Sequence, residues 1–337
     1  MKKIIFSFII CIFVLLLSIN LGSVHVALPD SISITLHKLF GTSLPDRISP
    51  ITVSIFWKIR VPRAITAFLV GGALSVSGAV MQSLLQNPLA SSYTMGVSSG
   101  SALGAAIVII SGIRVFFWRS LLLPAAGFTF ALLTVFFVLL LSSRIDRRLS
   151  SATIILIGMV ISLFVSAMLT LLSSIFPNHS QQIYFWMMGS FSSRNWEHVS
   201  ILAPVILPTV FIIWLFSREM DIMTFGDEQA LSMGVDVRRK KLLLIILATL
   251  ATGVSAAFTG TIGFIDLVAP HVVRRIFGAR HRMVIPMSFL YGGAFMSLAD
   301  LLARTVLSPR EIPVGAVTAL LGAPFFMVLF LKKKKDS

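Results

Sequence analysis

Two carboxylates interrupt long apolar runs of this chain: Asp266 in GFIDLVAPH and Asp300 in ADLLAR. A carboxylate among apolar side chains is costly unless it is paired, so each is a candidate for proton or ion handling. Asp300 has a local partner, because Arg304 follows one helical turn later and an i,i+4 pair accounts for it. Asp266 has no such neighbour, and either faces a cavity or pairs with a distant basic group. His271 reads as a structural residue at a helix end rather than a metal ligand, since no second ligand stands at metal-like spacing. The lone cysteine, Cys11, excludes a disulfide framework and a cysteine metal cluster. No G-x-x-x-x-G-K-[ST] loop is present, so the chain does not hydrolyse ATP by that route, and neither H-E-x-x-H nor G-x-S-x-G occurs. Phe185, Trp186, Met187 and Met188 in IYFWMMGSF could suggest a haem pocket, but interfacial aromatics and packing methionines explain them equally. No cofactor or metal is expected.

The elements that must position these residues are membrane spans. Of 337 residues, 56% are hydrophobic and 12% charged, and the mean hydropathy is +0.95; a soluble domain carries about twice that charge. Crossing ~30 Å of hydrocarbon takes about 20 apolar residues in a helix. Ten candidate spans lie at about 4–21, 64–86, 93–111, 115–141, 152–175, 198–216, 242–260, 262–273, 284–303 and 314–331. The third and eighth are short, and Gly-rich or polar, which suits packing inside the bundle. Met1-Lys2-Lys3 before Ile4–Leu21 has the look of a signal peptide. Its apolar core is too long and no cleavage site follows, so it reads as a retained first helix. The expected class is therefore an all-α polytopic membrane protein, with residues 1–337 as one transmembrane domain.

The net charge of +15 follows from orientation rather than from nucleic-acid binding, because the basic residues cluster between spans. With the N-terminus inside, the inner segments hold Lys2 and Lys3, then Arg144, Arg147 and Arg148. They also hold Arg218, Arg238, Arg239, Lys240 and Lys241, then Arg274, Arg275, Arg280 and Arg282, and last Lys332 to Lys335. These are 18 of the 28 basic residues. The expected topology places both termini in the cytoplasm. One inner segment, SREMDIMTFGDEQALSMGVDVRRKK (217–241), is long enough to form its own element. Within it, about 225–236, Gly226 breaks the preceding structure. Asp227 and Glu228 suit a helix N-terminus, and Gly234 suits the stop. Such a helix would present Ala230 and Leu231 to a groove on a soluble partner; an ordinary connecting loop is the alternative.

Four ordered motifs carry a resemblance over roughly residues 55–331. They are RVPRAITAFLVGGALSVSGAVMQSLLQNPLASSYTMGVSSGSALGA, GDEQALSMGVDV, GTIGFIDLVAPHVVRRIFGARHR and ADLLAR…EIPVGAVTALLGAPFF. The chain resembles the FecCD family, the permease subunits of type II ATP-binding-cassette importers for iron–siderophore complexes, haem and cobalamin. The resemblance implies a FecCD/cobalamin-permease-like bundle of ten helices. It also implies a second permease, identical or paralogous, two cytoplasmic ATPase subunits and an extracytoplasmic substrate-binding protein. ATP hydrolysis would belong to the partner, and the setting would be the bacterial cytoplasmic membrane.

On this resemblance Gly226, Asp227, Glu228, Ala230, Leu231 and Gly234 form the element that couples to the ATPase. Asn87 and Leu89 sit at a cytoplasmic constriction, with Ser150 and Ser151 opposite. Pro88 cannot continue a helix and biases Asn87 away from helical geometry, so 86–92 is a break between spans. The small residues from Ser98 to Ala105 allow close helix packing. Arg60, Arg63 and Arg304 lie at outer helix ends, as snorkelling residues or as docking groups for carboxylates of the incoming protein. Asp266 departs from the family pattern, which has Gly there. Two rivals stand beside this reading: an ion-driven secondary transporter using Asp266 and Asp300, and a membrane enzyme, for which no catalytic motif is found.

Overall fold

The computed structural model describes residues 2–22, 26–113 and 121–335, and these are helical with short connections. The order is α1 (Lys2–Asn20), α2 (Leu28–Phe40), α3 (Pro50–Ser54), α4 (Val61–Leu84), α5 (Val97–Ser111), α6 (Leu122–Ile145), α7 (Ser151–Ile175) and α8 (Pro177–Met187). There follow α9 (Trp196–Leu215), α10 (Ser217–Met223), α11 (Asp227–Ser232), α12 (Val237–Thr259), α13 (Ile265–Phe277), α14 (His281–Thr305) and α15 (Val314–Lys335). Among the described residues, seven segments are long and apolar enough to cross a membrane. The apolar stretches Val97–Ser111 in α5 and Val314–Phe325 in α15 are shorter, and α13 is a 13-residue helix carrying Asp266, Arg274 and Arg275; these three stand where the other three spans are expected. The start of the fourth span, 115–120, lies outside the described residues.

The helix ends follow local chemistry. Ser49, Ser150 and Asp236 each accept a hydrogen bond from a backbone N–H of the turn that follows, capping α3, α7 and α12. Asn195 and His198 form a reciprocal box at the start of α9. Such caps satisfy donors that the first helical turn leaves unpaired. Two boundaries differ from the sequence reading. The second span begins early, because a π-helical turn at Ile55–Arg60 joins α3 to α4 in one continuous 35-residue segment. The third begins late, because Ser92–Met95 form a 3-10 turn and Gly96, at φ +83°, starts α5.

At the centre stands α4. All of its 24 residues except Ile65 and Phe68 are buried, and α1, α9, α12, α13 and α14 pack around it. A helix enclosed on all sides must carry small residues where its neighbours come closest. A Cβ on Gly71 would stand 2.3 Å from the Gly292 carbonyl of α14, and one on Gly78 would stand 1.9 Å from the Asp266 carbonyl of α13. The sequence GGALSVSGA is thus a packing surface, with Ser75 and Ser77 fully buried beside the glycines.

This contact yields a paired prediction. Gly71→Ala should lower the thermal stability of the purified chain by roughly 1–3 kcal/mol, because backbone cannot retreat from the new methyl. Gly253→Ala in α12, where the nearest atoms lie at 3.5 Å, should be neutral to stabilising. Melting curves of the two variants in one detergent make the comparison, and equal curves would refute the close-packing account.

Candidate functional site

Two polar centres lie at opposite ends of the bundle. At one end α4 breaks after Leu84. Gln86 adopts φ +50°, and the Asn87 side chain accepts from Leu89 N–H at 2.9 Å in a turn that Pro88 enforces. Ser150 caps α7, and Ser151 beside it donates to the Leu84 carbonyl at 3.3 Å. The structure therefore brings three of the four expected gate residues, Asn87, Ser150 and Ser151, to one broken helix end, and leaves Leu89 exposed beside them. A cleft of about 330 Å³ opens there, lined among others by Gln82, Asn87, Thr224, Arg274 and His281.

A second break faces the first. Between α12 and α13 the chain turns through Gly260 and Phe264, both at positive φ. Tyr93 donates to the Ile262 carbonyl at 3.0 Å, and the Ser91 hydroxyl donates to the Asp266 carboxylate. Gln82 donates to the Asp266 carbonyl at 3.0 Å, while Arg274 donates to the Gln82 side-chain oxygen and to the Ala79 carbonyl. Asp266 is buried in the first turn of α13, where the dipole favours a carboxylate. Its partner is thus a hydroxyl from the opposite break. The basic group nearest in this network, Arg274, reaches only Gln82 and backbone.

The expected coupling helix is α11. Gly226 at φ +110° precedes it, and Gly234 at φ +83° ends it while Val235 N–H returns to the Ala230 carbonyl at 3.0 Å. One expectation is corrected. Ala230 is not presented for contact; it is fully buried and packs in the cluster that holds Met220, Met223 and Val237. A two-turn element has only one outward face, and here that face carries Glu228 and Leu231, the latter 57% exposed. Asp227 turns inward to Lys241 at 2.6 Å, and the Lys241 side chain is 1% exposed. Sequence reading counted Lys241 only as one of a basic run. Its signal was the spacing 237, 241, 244, 245, 248, which extends the buried stripe of α12 back into that run. The loop before α7 completes a second, polar cleft of about 560 Å³ against α11. In it, hydrogen bonds from Ser150 and the Arg148 N–H hold the Asp146 carboxyl below the usual carboxylate range.

Two contacts tie α10 and α11 to the broken end. Gln86 donates to the Met223 carbonyl at 3.1 Å. Asp221 accepts from the His281 backbone N–H at 2.9 Å and sits 2.6 Å from its ring Nδ1, fastening α10 to the start of α14. His281 lies within a motif and Asp221 within the 217–241 segment, but nothing in the sequence pairs them across 60 residues. The segments expected to share one side do meet here: Lys3 reaches the Ile276 carbonyl, and Arg148 approaches Glu228 at 3.8 Å.

Arg60, Arg63 and Arg304 gather at the other end, as expected, but inside the chain. Arg63 lies between two acids, with Nη2 2.8 Å from Asp300 and Nη1 2.7 Å from Glu311. Arg304 makes the expected i,i+4 pair with Asp300 at 3.5 Å and also donates to the Ser18 carbonyl. Arg60 donates to the Asn20 carbonyl at 2.7 Å. The physical reason is the C-terminus of α1: its last carbonyls lack helical partners, and cations are favoured beside them. The expectation that these three arginines stand ready for the carboxylates of a visiting protein is corrected accordingly, because each is at least nine-tenths buried in its own chain. Asp300 is fully buried, and Glu311, which closes the clamp, had passed as part of a motif. His271 lies partly exposed on α13. Among the described residues, no group of three His, Cys, Asp or Glu could hold a metal ion.

The pattern of the FecCD transport family matches residues 10–332. An uncharacterised ABC transporter permease protein, YvrB of Bacillus subtilis, is 37% identical over 95% of this chain and 91% of its own. The hemin transport permease HmuU of Yersinia pestis is 34% identical over 96% of this chain and 95% of its own. Other relatives are named for cobalamin, molybdate, ferric citrate and ferric hydroxamate import. A solved structure described as an inward-facing conformation of a metal-chelate type ABC transporter superposes with a TM-score of 0.84. It is 31% identical, over 98% of this chain and all of the other.

Two comparisons test the polar centres. Asp227→Asn leaves the Lys241 ammonium buried and unpaired, and should cost roughly 2 kcal/mol, less than for a fully enclosed pair because Asp227 is partly solvated. Adding Lys241→Met should recover most of that loss in thermal melts. At the other end, Asp300→Asn should lower stability more than Glu311→Gln, because Asp300 is enclosed and serves two arginines while Glu311 is 40% exposed. An equal effect of both would show that the clamp is not centred on Asp300.

Proposed function

The chain belongs to the FecCD transport family, and from that premise we propose that it forms half of the membrane pathway of an importer for an iron complex of the ferric-siderophore class. It is an ABC importer permease that spans the membrane, a transport subunit and not an enzyme; ATP is hydrolysed by a separate partner. The cargo and the roles of individual residues are our assignment. Haem and cobalamin are the alternative cargoes, since relatives named for each are about equally similar.

The observation that carries the reading is α11. It is a short helix pinned from below by Ala230 and the Asp227–Lys241 pair, with Glu228 and Leu231 facing outward and a polar cleft beside it. That is the form of an element that transmits force: its outer face meets a partner while its inner face cannot slip. We assign the outer face to a cytoplasmic ATPase, one on each of two paired permeases, identical or paralogous. The basic residues that meet at this end support its being cytoplasmic, with both termini on that side. Motion of α11 would pass through α10 to the α4 break by the Gln86–Met223 contact and to α14 by the Asp221–His281 contact. The break, with Asn87, Leu89, Ser150 and Ser151, is then the gate of an alternating-access cycle.

The arginine clamp belongs to the outer end, where a delivery protein docks in this scheme. We assign Arg60, Arg63 and Arg304 to holding that docking face together, since each is buried and bonds groups of its own chain.

The test is uptake in liposomes of the assembled permease with its ATPase and delivery protein, using a ferric siderophore, haem and cobalamin in turn. ATP-dependent uptake of one cargo is expected, and Leu231→Asp should abolish uptake and cargo-stimulated hydrolysis without loss of folded chain. Uptake that needs no ATP, or that survives Leu231→Asp, would overturn the coupling assignment. Uptake of haem or cobalamin alone would replace the cargo.

A further inference from the structure

Helix α2 is amphipathic in an unusual sense: both of its faces carry apolar residues, and only one of them is covered. Ile34 and Ser31 are buried against the end of the bundle, where the Ser31 hydroxyl donates to Asn20 of α1. On the opposite side Leu28, Ile32, Leu36, Leu39 and Phe40 are all exposed, from 43% to 74%. Positions 28, 32, 36 and 39 repeat at the spacing of one helical face. Asp30 and Lys38 stand one turn before and one turn after Ile34, away from this stripe; Asp30 pairs with Arg47 at 2.7 Å, and Lys38 is exposed.

A bare face of five large apolar side chains is not a water-facing surface, and its surroundings indicate what covers it. Leu28, Ile32 and Leu36 share an apolar groove of about 340 Å³ with Leu16 and Ile19 of α1 and with Trp57. Leu16 and Ile19 are the last turns of a membrane-spanning helix whose other apolar residues, Phe6, Ile9 and Phe13 among them, are exposed along its length. The α2 stripe is therefore continuous with the surface through which α1 meets lipid. It begins at the depth where α1 ends, next to Trp57 and Trp196, whose rings pack 5.2 Å apart. Paired tryptophans with an indole N–H bonded to backbone, as Trp196 is to the Trp57 carbonyl at 2.7 Å, suit the polar boundary of a bilayer.

We propose that α2 is a membrane-surface helix, with Leu28, Ile32, Leu36, Leu39 and Phe40 seated in the acyl–headgroup boundary of the leaflet at the arginine-clamp end. Such a face is held at the interface by the apolar area it buries. The helix braces the end of α1 against the bilayer, so the face that Arg60 and Arg304 stitch together is also held at a fixed depth. The inference concerns contact with lipid and does not depend on cargo.

Spin labels on single cysteines, in a Cys11→Ala background, test it in the full-length permease reconstituted into phosphatidylethanolamine–phosphatidylglycerol liposomes. The labels go at Ile32 and Leu36, with Ile9 of α1 as lipid reference and Asp46 in the following loop as water reference. Collision with dissolved oxygen and with a water-soluble nickel chelate is read at each. At positions 32 and 36 the oxygen-to-nickel ratio should be several-fold above that at 46 and approach that at 9. A ratio equal to that at 46 would put the face in water and overturn the proposal. Exclusion of both reagents would mean that protein, a second copy of the chain included, covers it, and would overturn it equally. Adding Ile32→Glu to the Leu36 label should raise nickel access at 36 several-fold; no change there would also count against lipid contact.

Discussion

A helix that is enclosed on every side within a membrane must carry small residues where its neighbours come closest and cannot end without provision, and α4 meets both demands. Glycine and serine at 71, 72, 75, 77 and 78 let α13 and α14 approach to backbone contact. Because that approach is set by backbone, not by adaptable side chains, the relative positions of these helices are rigid. The two polar centres of the chain lie at the two ends of this helix. Arg60 and Arg63 stand at its start, and the Asn87–Pro88 break stands at its finish.

The two ends solve the same problem differently. Inside hydrocarbon, unpaired backbone groups and charges are costly. At its start, α4 supplies cations that satisfy the free carbonyls of α1 and the carboxylates of α14 and of the loop before α15. The result is a closed clamp, with Arg63 held between Asp300 and Glu311. At its finish, Ser151 and Asn87 meet broken backbone near the end of α4, and Gln82 and Tyr93 meet that of the facing break, so the contacts there are mostly neutral, with Arg274 adding a bond to the Ala79 carbonyl. Hydroxyl and amide contacts are individually weak and geometrically forgiving. A charged clamp suits a part that must hold still, and a set of neutral contacts suits one that must rearrange.

Asp266 is the carboxylate that these neutral groups surround. Its carboxylate receives a hydroxyl hydrogen bond from Ser91 and lies at a helix N-terminus, so its charge is supported by dipoles and not by a counter-ion. It links the two broken backbones across the bundle.

Much of this was legible in the sequence. Composition and run length gave the membrane class and the order of the spans, because a hydrocarbon slab of fixed thickness imposes its length on every helix. Pro88 and the flanking glycines marked the break and the limits of α11, because backbone geometry at such residues is local. The i,i+4 pair of Asp300 and Arg304 followed from helical spacing alone. What sequence could not decide is which long-range partner each polar group chose. Arg63 met Glu311 across 248 residues, Asp266 met Ser91 across 175 and His281 met Asp221 across 60. Those choices turned the arginines from free groups into a clamp and put Ala230 inside rather than outside. They depend on which helix ends lie side by side, and that is set by the close packing of α4 with its neighbours, a property of the assembled bundle and of no single segment.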